Sequence, residues 1–269
     1  GFPDTPVIIR VDNDNGDDPV SVGFGQATND NTPLISGTSA PNATITLYDN
    51  GVLLGTAQAN GSGEWSFPSP ILLDNTHVIT ATATTPAGTS GDSISFTVII
   101  DTVPPVAPDD VDVVANGTQV TGSAEAGSTI TVKDANGVTI GTGVAGNDGS
   151  FTVSISPAQK NGETLNVTAT DKAGNGSLAT PVEAPDSTAP NSPTGVVVAP
   201  DGGSISGSAE PGSTVTIKDP DGTTVGEGPV GQDGTFTIPL SPVQNNGEVL
   251  DVTATDGTGN ISTPAQTTA

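Results

Sequence analysis

The sequence predicts an all-β protein built as three tandem β-sandwich domains in an elongated rod, with no disulfides. Three observations predict it. The chain repeats itself at an interval of about 85 residues, which is the signature of an array of similar modules. Within each repeat, apolar residues alternate with Thr, Ser and Asn, the period of a half-buried strand. No stretch of useful length carries a helical period.

The repeat fixes the domains. Thr121-Gly-Ser-Ala-Glu-Ala-Gly-Ser-Thr129 returns as Ser206-Gly-Ser-Ala-Glu-Pro-Gly-Ser-Thr214 at an offset of 85, and the same offset relates Asp134 to Asp219, Phe151 to Phe236 and Asp101 to Asp186. A more diverged copy precedes them: Gly37 lies 85 before Gly122, then the offset slips to 86, so that Trp65 aligns with Phe151. The expected domains are residues 1–102, 103–186 and 187–269, the first with an extended N-terminal section. Both boundaries, Asp101-Thr-Val-Pro-Pro105 and Asp186-Ser-Thr-Ala-Pro190, are proline-punctuated and read as short, stiff linkers.

Each repeat then reads as a string of strands. Ile130 and Val132, Phe151, Val153 and Ile155, and Leu165, Val167 and Ala169 alternate with polar residues. Ala115-Asn-Gly117, Ala135-Asn-Gly137 and Asn147-Asp-Gly149 supply the turns between them. About seven short strands in about 85 residues is an immunoglobulin-like sandwich, here lacking the cysteine pair and the usual strand-C tryptophan. Trp65 aligns with two phenylalanines, so it is expected to fill a core and not to form a sugar-stacking platform.

Composition narrows the function classes. Only 60 of 269 residues are Leu, Ile, Val or Phe, which favours several thin cores over one broad one. Five Lys and Arg face 30 Asp and Glu for a net charge of −25. That charge excludes nucleic-acid binding by counterion release and disfavours anionic membrane surfaces. With no Cys and no Met, thiolate zinc sites and cysteine nucleophiles are ruled out. No apolar run approaches the length of a membrane span, and the sequence reads as a segment of a longer soluble protein.

The carboxylates suggest what staples the domains. Threading the strands up and down places Asp101, Glu125, Asp148 and Asp171 at the end of the second domain that faces the first, with Asp186, Glu210, Asp233 and Asp256 as their counterparts in the third. Two carboxylates about 4 Å apart repel by about 4 kcal/mol at an effective dielectric of about 20. Lys and Arg are too few to neutralise such clusters. Ca2+, which takes oxygen ligands in flexible geometry, suits them, and the expected ligands are Asp101, Glu125 and Asp171, and Asp186, Glu210 and Asp256. Asp148 and Asp233 stand in tight Asx-Gly turns and are expected to act as turn formers.

The acidic run Asp12-Asn-Asp-Asn-Gly-Asp-Asp18 does not make a helix-loop-helix calcium loop: with Gly16 at the turn position, Val11 and Val22 fall on ligand positions. Asp12, Asp14 and Asp30, at the end of the first domain nearest Asp101, are candidates for a further ion. The opposite end of that domain has Ala40 for Glu125 and Thr85 for Asp171, and no ion of this kind is expected there.

Asn29-Asp-Asn-Thr-Pro-Leu-Ile-Ser-Gly-Thr38, Gly63-Glu-Trp-Ser-Phe67, the Thr170-Asp-Lys-Ala-Gly-Asn175 loop and the Asp-x-x-x-Pro linker resemble the bacterial Ig-like repeat of giant adhesins exported by type I secretion. The resemblance implies a secreted protein of the bacterial cell surface involved in virulence and host adhesion. It also implies interdomain calcium that stiffens a stalk, carried onto Asp101, Glu125, Asp171, Asp186, Glu210 and Asp256. The expected function is a calcium-stiffened, monomeric rod segment whose partners are its neighbouring domains and host-cell surface glycans. The alternative is a carbohydrate-binding, lectin-like module; a passive spacer is a third reading. Catalysis is not expected: His77, the single histidine, sits in strand-like alternation as a surface residue, and no phosphate cradle or H-E-x-x-H motif occurs.

Overall fold

The computed structural model describes all of residues 1–269 and consists of 24 strands and no helix. It divides into two compact units, residues 1–114, 118–158 and 164–183 in one, and residues 115–117, 159–163 and 184–269 in the other.

The first unit opens with β1 (Val7–Asn13), β2 (Val20–Val22), β3 (Ala27–Thr28), β4 (Leu34–Thr38), β5 (Thr44–Asp49), β6 (Val52–Gln58), β7 (Glu64–Pro68), β8 (Asn75–Thr85), β9 (Gly88–Thr89) and β10 (Phe96–Ile100). One sheet runs β2-β1-β4-β7 and the facing one β3-β10-β8-β5-β6, with β9 on the end of β8. Ile35, Ile45, Leu47, Ile79 and Val98 pack between them around Trp65. The β5–β6 hairpin turns at Asn50 and Gly51, both with positive φ (49° and 80°), the primed turn that matches strand twist. Strands β2, β3 and β9 belong to this domain alone and come from its longer N-terminal section and its extended β8.

The same unit continues with β11 (Asp109–Val113), β12 (Gln119–Ser123), β13 (Thr129–Lys133), β14 (Thr139–Val144), β15 (Ser150–Ser154), β16 (Thr164–Thr170) and β17 (Thr180–Glu183). Their sheets are β11-β12-β15 and β14-β13-β16-β17. Alternation delivers the core as expected: Phe151 and Val153 of β15 and Leu165, Val167 and Ala169 of β16 point inward while their neighbours do not.

The second unit repeats this arrangement with β18 (Thr194–Val198), β19 (Ser204–Ser208), β20 (Thr214–Lys218), β21 (Thr224–Pro229), β22 (Thr235–Pro239), β23 (Val249–Thr255) and β24 (Ala265–Thr268), as β18-β19-β22 and β21-β20-β23-β24.

One glycine recurs for a packing reason. Gly37, Gly122 and Gly207 each pair across the ladder with the aromatic residue Trp65, Phe151 or Phe236. The ring lies against the glycine, so a Cβ there would come within 2.6 Å of Phe151 and 2.7 Å of Phe236. The repeated Gly and the repeated aromatic are therefore one packing unit.

Candidate cation sites at the domain ends

In the first unit, strand β16 ends in the loop Asp171–Asn175, which is organised by its first and last residues. The Asp171 Oδ1 accepts the backbone N–H groups of Ala173, Gly174 and Asn175 at 2.8 to 2.9 Å. Asn175 is 8% exposed, and its carboxamide donates from Nδ2 both to Asp171 Oδ2 (2.8 Å) and to the Asp101 carbonyl oxygen (2.9 Å). Asn175 thus ties the linker aspartate to the loop aspartate.

Asp101 is held from the other side by donating its N–H to the Thr28 carbonyl, and its Oδ1 accepts the Val103 N–H. The Asn29 N–H donates to the Ala173 carbonyl (3.0 Å), so the loop is stitched directly to the first domain. The Lys172 side chain lies over Gly127, which places the Glu125 loop at the same end. The Asp148 turn joins it through the Ala124 N–H and the Gly149 carbonyl.

The second unit builds its counterpart with more hydroxyl. Asp256 Oδ1 accepts the Thr258 N–H, the Thr258 hydroxyl and the Asn260 N–H at 2.8 to 2.9 Å. Asn260 donates from Nδ2 to Asp256 Oδ2 (2.8 Å) and to the Asp186 carbonyl oxygen (3.2 Å). The Thr258 hydroxyl also lies 3.2 Å from Asp186 Oδ2. Partial desolvation works against ionisation of Asp256, but the bonds from Asn260 and Thr258 outweigh it and hold the carboxyl down at about 2. The two loops differ at one cationic position: Lys172 in the first corresponds to Gly257 in the second.

The third group lies at the lower end of the first domain. Asp30 is fully buried; its Oδ1 accepts the Thr32 N–H and hydroxyl, and its Oδ2 accepts the Asp14 N–H. Partial desolvation, then the hydrogen bond and charge of Asp30 and the charge of Asp12, push the Asp14 carboxyl above its ordinary range. Asp12 is paired with Arg10 at 2.9 Å. Asn13 bridges to the Thr28 hydroxyl and the Asn29 carbonyl oxygen of its side chain, which brings this end up to the Asp171 loop across a crevice of about 350 Å3.

Of the residues singled out in the sequence, the structure brings Asp101 to Asp171, Asp186 to Asp256, and Asp14 to Asp30. Glu125 and Glu210 share those ends but are exposed, and no three acidic or histidine side chains converge closely enough to hold a metal by themselves. Asp148 and Asp233 cap their own turns: Oδ1 accepts the N–H and hydroxyl of Ser150 and Thr235, respectively. These bonds, led by the Ser150 hydroxyl in one and the Thr235 N–H in the other, lower both carboxyls.

Sequence reasoning missed Asn175, Asn260 and Thr258. The signal was available: an asparagine four residues after the loop aspartate occurs in both later copies. His77 requires a correction. It is not a surface strand residue but 6% exposed, with Nδ1 2.7 Å from Asp49 Oδ2 and Nε2 2.8 Å from the Leu73 carbonyl oxygen, because the loop before β8 folds over the end of the β5–β6 hairpin. Trp65 is 4% exposed, as a core residue should be.

A family model described as a bacterial Ig domain matches residues 104–186 and 189–269, and one described as a bacterial Ig-like domain matches residues 5–102. The chain belongs to the bacterial Ig-like family. No curated protein matches it. Among solved structures it is similar to a biofilm-associated protein BSP domain, at 14% identity over the whole chain and 66% of that one, with a TM-score of 0.29. It is also similar to chicken CNTN1 FN1–FN3 domains, at 16% identity over the whole chain and 99% of that one, TM-score 0.31. Fibronectin(III)-like modules of Clostridium thermocellum CbhA match at 16% identity over 63% of the chain and 92% of theirs, TM-score 0.38. The chain spans less than two thirds of the length of the biofilm-associated domain. These superpositions are loose, and the family assignment rests on the family models.

Proposed function

We propose that this chain is a rod segment of a secreted bacterial surface adhesin, in which Ca2+ at the linkers fixes the orientation of successive Ig-like domains. The observation that carries the reading is the pairing of linker and loop aspartates through one asparagine, Asp101 with Asp171 through Asn175 and Asp186 with Asp256 through Asn260.

The donor set suits a hard cation. Every candidate ligand is oxygen, from carboxylates, backbone carbonyls and a threonine hydroxyl, which is the chemistry calcium takes. Asp101 and Asp171 in the first unit and Asp186 and Asp256 in the second would hold it, with the exposed side chains of Glu125 and Glu210 free to complete the set. Asp12, Asp14 and Asp30 form the further candidate, where partial desolvation and then the neighbouring Asp30 raise the Asp14 carboxyl. Bound calcium supplies the positive charge that lets neighbouring carboxylates stay together. The chain's own part is to position them: Asp171 and Asp256 shape their loops, and Asn175 and Asn260 hold the linker aspartates to those loops.

Ion binding to the ordered linker alone stabilises it by RT ln(1 + [L]/Kd). Extracellular modules bind with Kd on the order of 10⁻⁴ to 10⁻³ M, so the rod orders outside the cell and stays pliable where calcium is scarce. The family's domains are structural modules, and no catalytic role is assigned to this chain. A carbohydrate-binding reading finds less support, since Trp65 is in the core and cannot stack on a sugar. Calorimetric calcium titration of the chain and of Asp186→Ala tests the proposal: one binding event lost in the variant supports it, and identical isotherms contradict it.

A further inference from the structure

We propose that Asn15–Gly16 is a site of spontaneous deamidation, and that it ages faster than any other Asn-Gly pair in the folded chain. The sequence contains eight Asn-Gly pairs, at Asn15, Asn50, Asn60, Asn116, Asn136, Asn161, Asn175 and Asn246. Asparagine followed by glycine is thermolabile because the small residue lets its backbone nitrogen reach the side-chain carbonyl carbon. The Gly N attacks Asn Cγ, the amide nitrogen leaves as ammonia with the proton given up by the Gly N–H, and a five-membered succinimide closes. Water then opens the ring at either carbonyl, leaving an aspartyl or an isoaspartyl linkage and one added negative charge.

The fold holds seven of these pairs back. The Asn50 carboxamide donates to Asp49 Oδ1, and that of Asn60 both donates to Glu64 and accepts two backbone N–H groups. The turn at Gly117 is packed against the Gln159 backbone. The Gly137 N–H, which is the attacking group, is engaged with the Asp134 carbonyl. Asn161 is pinned in a β-bridge to Asp186, Asn246 donates to Glu248, and the buried Asn175 uses both amide hydrogens.

Asn15–Gly16 has none of these restraints. Neither the Asn15 carboxamide nor the Gly16 N–H has a hydrogen-bond partner; only the Asn15 backbone N–H is engaged, with Asn13 Oδ1. Both residues are exposed, they lie outside any strand, and no atom stands within 4 Å of where a Gly16 Cβ would be. The pair can therefore reach the cyclising geometry without breaking a contact. The new carboxylate lands in the acidic loop beside Asp14, at the end of the first domain that lines the crevice with the Asp171 loop.

The test is to incubate the full chain in mildly alkaline buffer at body temperature and follow the gain of one mass unit by fragment-ion mass spectrometry. In native buffer the gain is expected at position 15 severalfold faster than at any other Asn-Gly pair. In concentrated urea, where the restraints are gone, the eight rates are expected to converge. Gly16→Ala places a methyl in open space and is expected to slow the reaction at position 15 severalfold while leaving circular dichroism unchanged. The proposal is overturned if another pair reacts first in native buffer, if the native ranking persists in urea, or if Gly16→Ala leaves the rate at position 15 unchanged.

Discussion

Asn175 is the side chain on which the first linker turns, and its replacement gives a graded result. Asn175→Ala removes the donor to the Asp101 carbonyl and the donor to the Asp171 carboxylate. A neutral hydrogen bond contributes about 0.5–1.5 kcal/mol and one to a charged group about 1.5–3, so local opening of the loop should become about 2–3 kcal/mol easier. At about 1.4 kcal/mol per decade this is roughly 30- to 150-fold faster amide exchange. The Asn29 N–H, which donates to Ala173, and the Asn175 N–H, which donates to Asp171, are the reporters. Asn175→Asp keeps the shape but points a carboxylate at two acceptors, adding repulsion of about 4 kcal/mol for charges about 4 Å apart at an effective dielectric of about 20. In chelator its exchange should exceed that of Asn175→Ala, and millimolar calcium should narrow the gap, since the new oxygen is a ligand for a hard cation. Hydrogen exchange read by mass spectrometry measures all three proteins. Wild-type exchange rates in Asn175→Asp with chelator present would refute the role given to the amide.

Further outcomes follow from the packing and the charges. Gly122→Ala and Gly207→Ala should each destabilise their own domain by about 1–3 kcal/mol, as expected of overpacking, and calorimetric scans should show only one transition moving in each. His77→Ala removes two hydrogen bonds of a buried ring, one of them to a carboxylate, and should cost the first domain about 2–4 kcal/mol, read from Trp65 fluorescence in denaturant. Asp256 is held at about 2, below the ordinary 3.8. A depressed folded-state carboxyl contributes stability that is present above 3.8 and is lost as the pH falls through about 2. Asp256→Asn should therefore flatten the acid limb of the melting curve of residues 187–269.

Much of this architecture was readable because repetition makes packing visible in one sequence. The constant spacing of Gly122 to Phe151 and Gly207 to Phe236 already contained the glycine-under-ring unit, and alternation in β15 and β16 named the core. The small strands β2, β3 and β9 were not readable, since two or three residues carry no period and β3 exists only because it lies beside β10. His77 was misplaced for a similar reason. Alternation fixes which sheet face a residue occupies but not whether a distant loop, here at Leu73, folds over it. The candidate carboxylates stand out in the sequence by charge and spacing, whereas Asn175, Asn260 and Thr258 are neutral and do not, although their hydrogen bonds tie the linker aspartates to the loop aspartates. Lys172 shows the same limit, because its position over Gly127 depends on the loop's path.

The most direct test of the calcium-stiffened rod is small-angle X-ray scattering of the whole chain with millimolar calcium and again with chelator. The account predicts a longer maximum dimension and a narrower distance distribution in calcium, with the difference reduced in Asp186→Ala. Superimposable curves in calcium and chelator would contradict it.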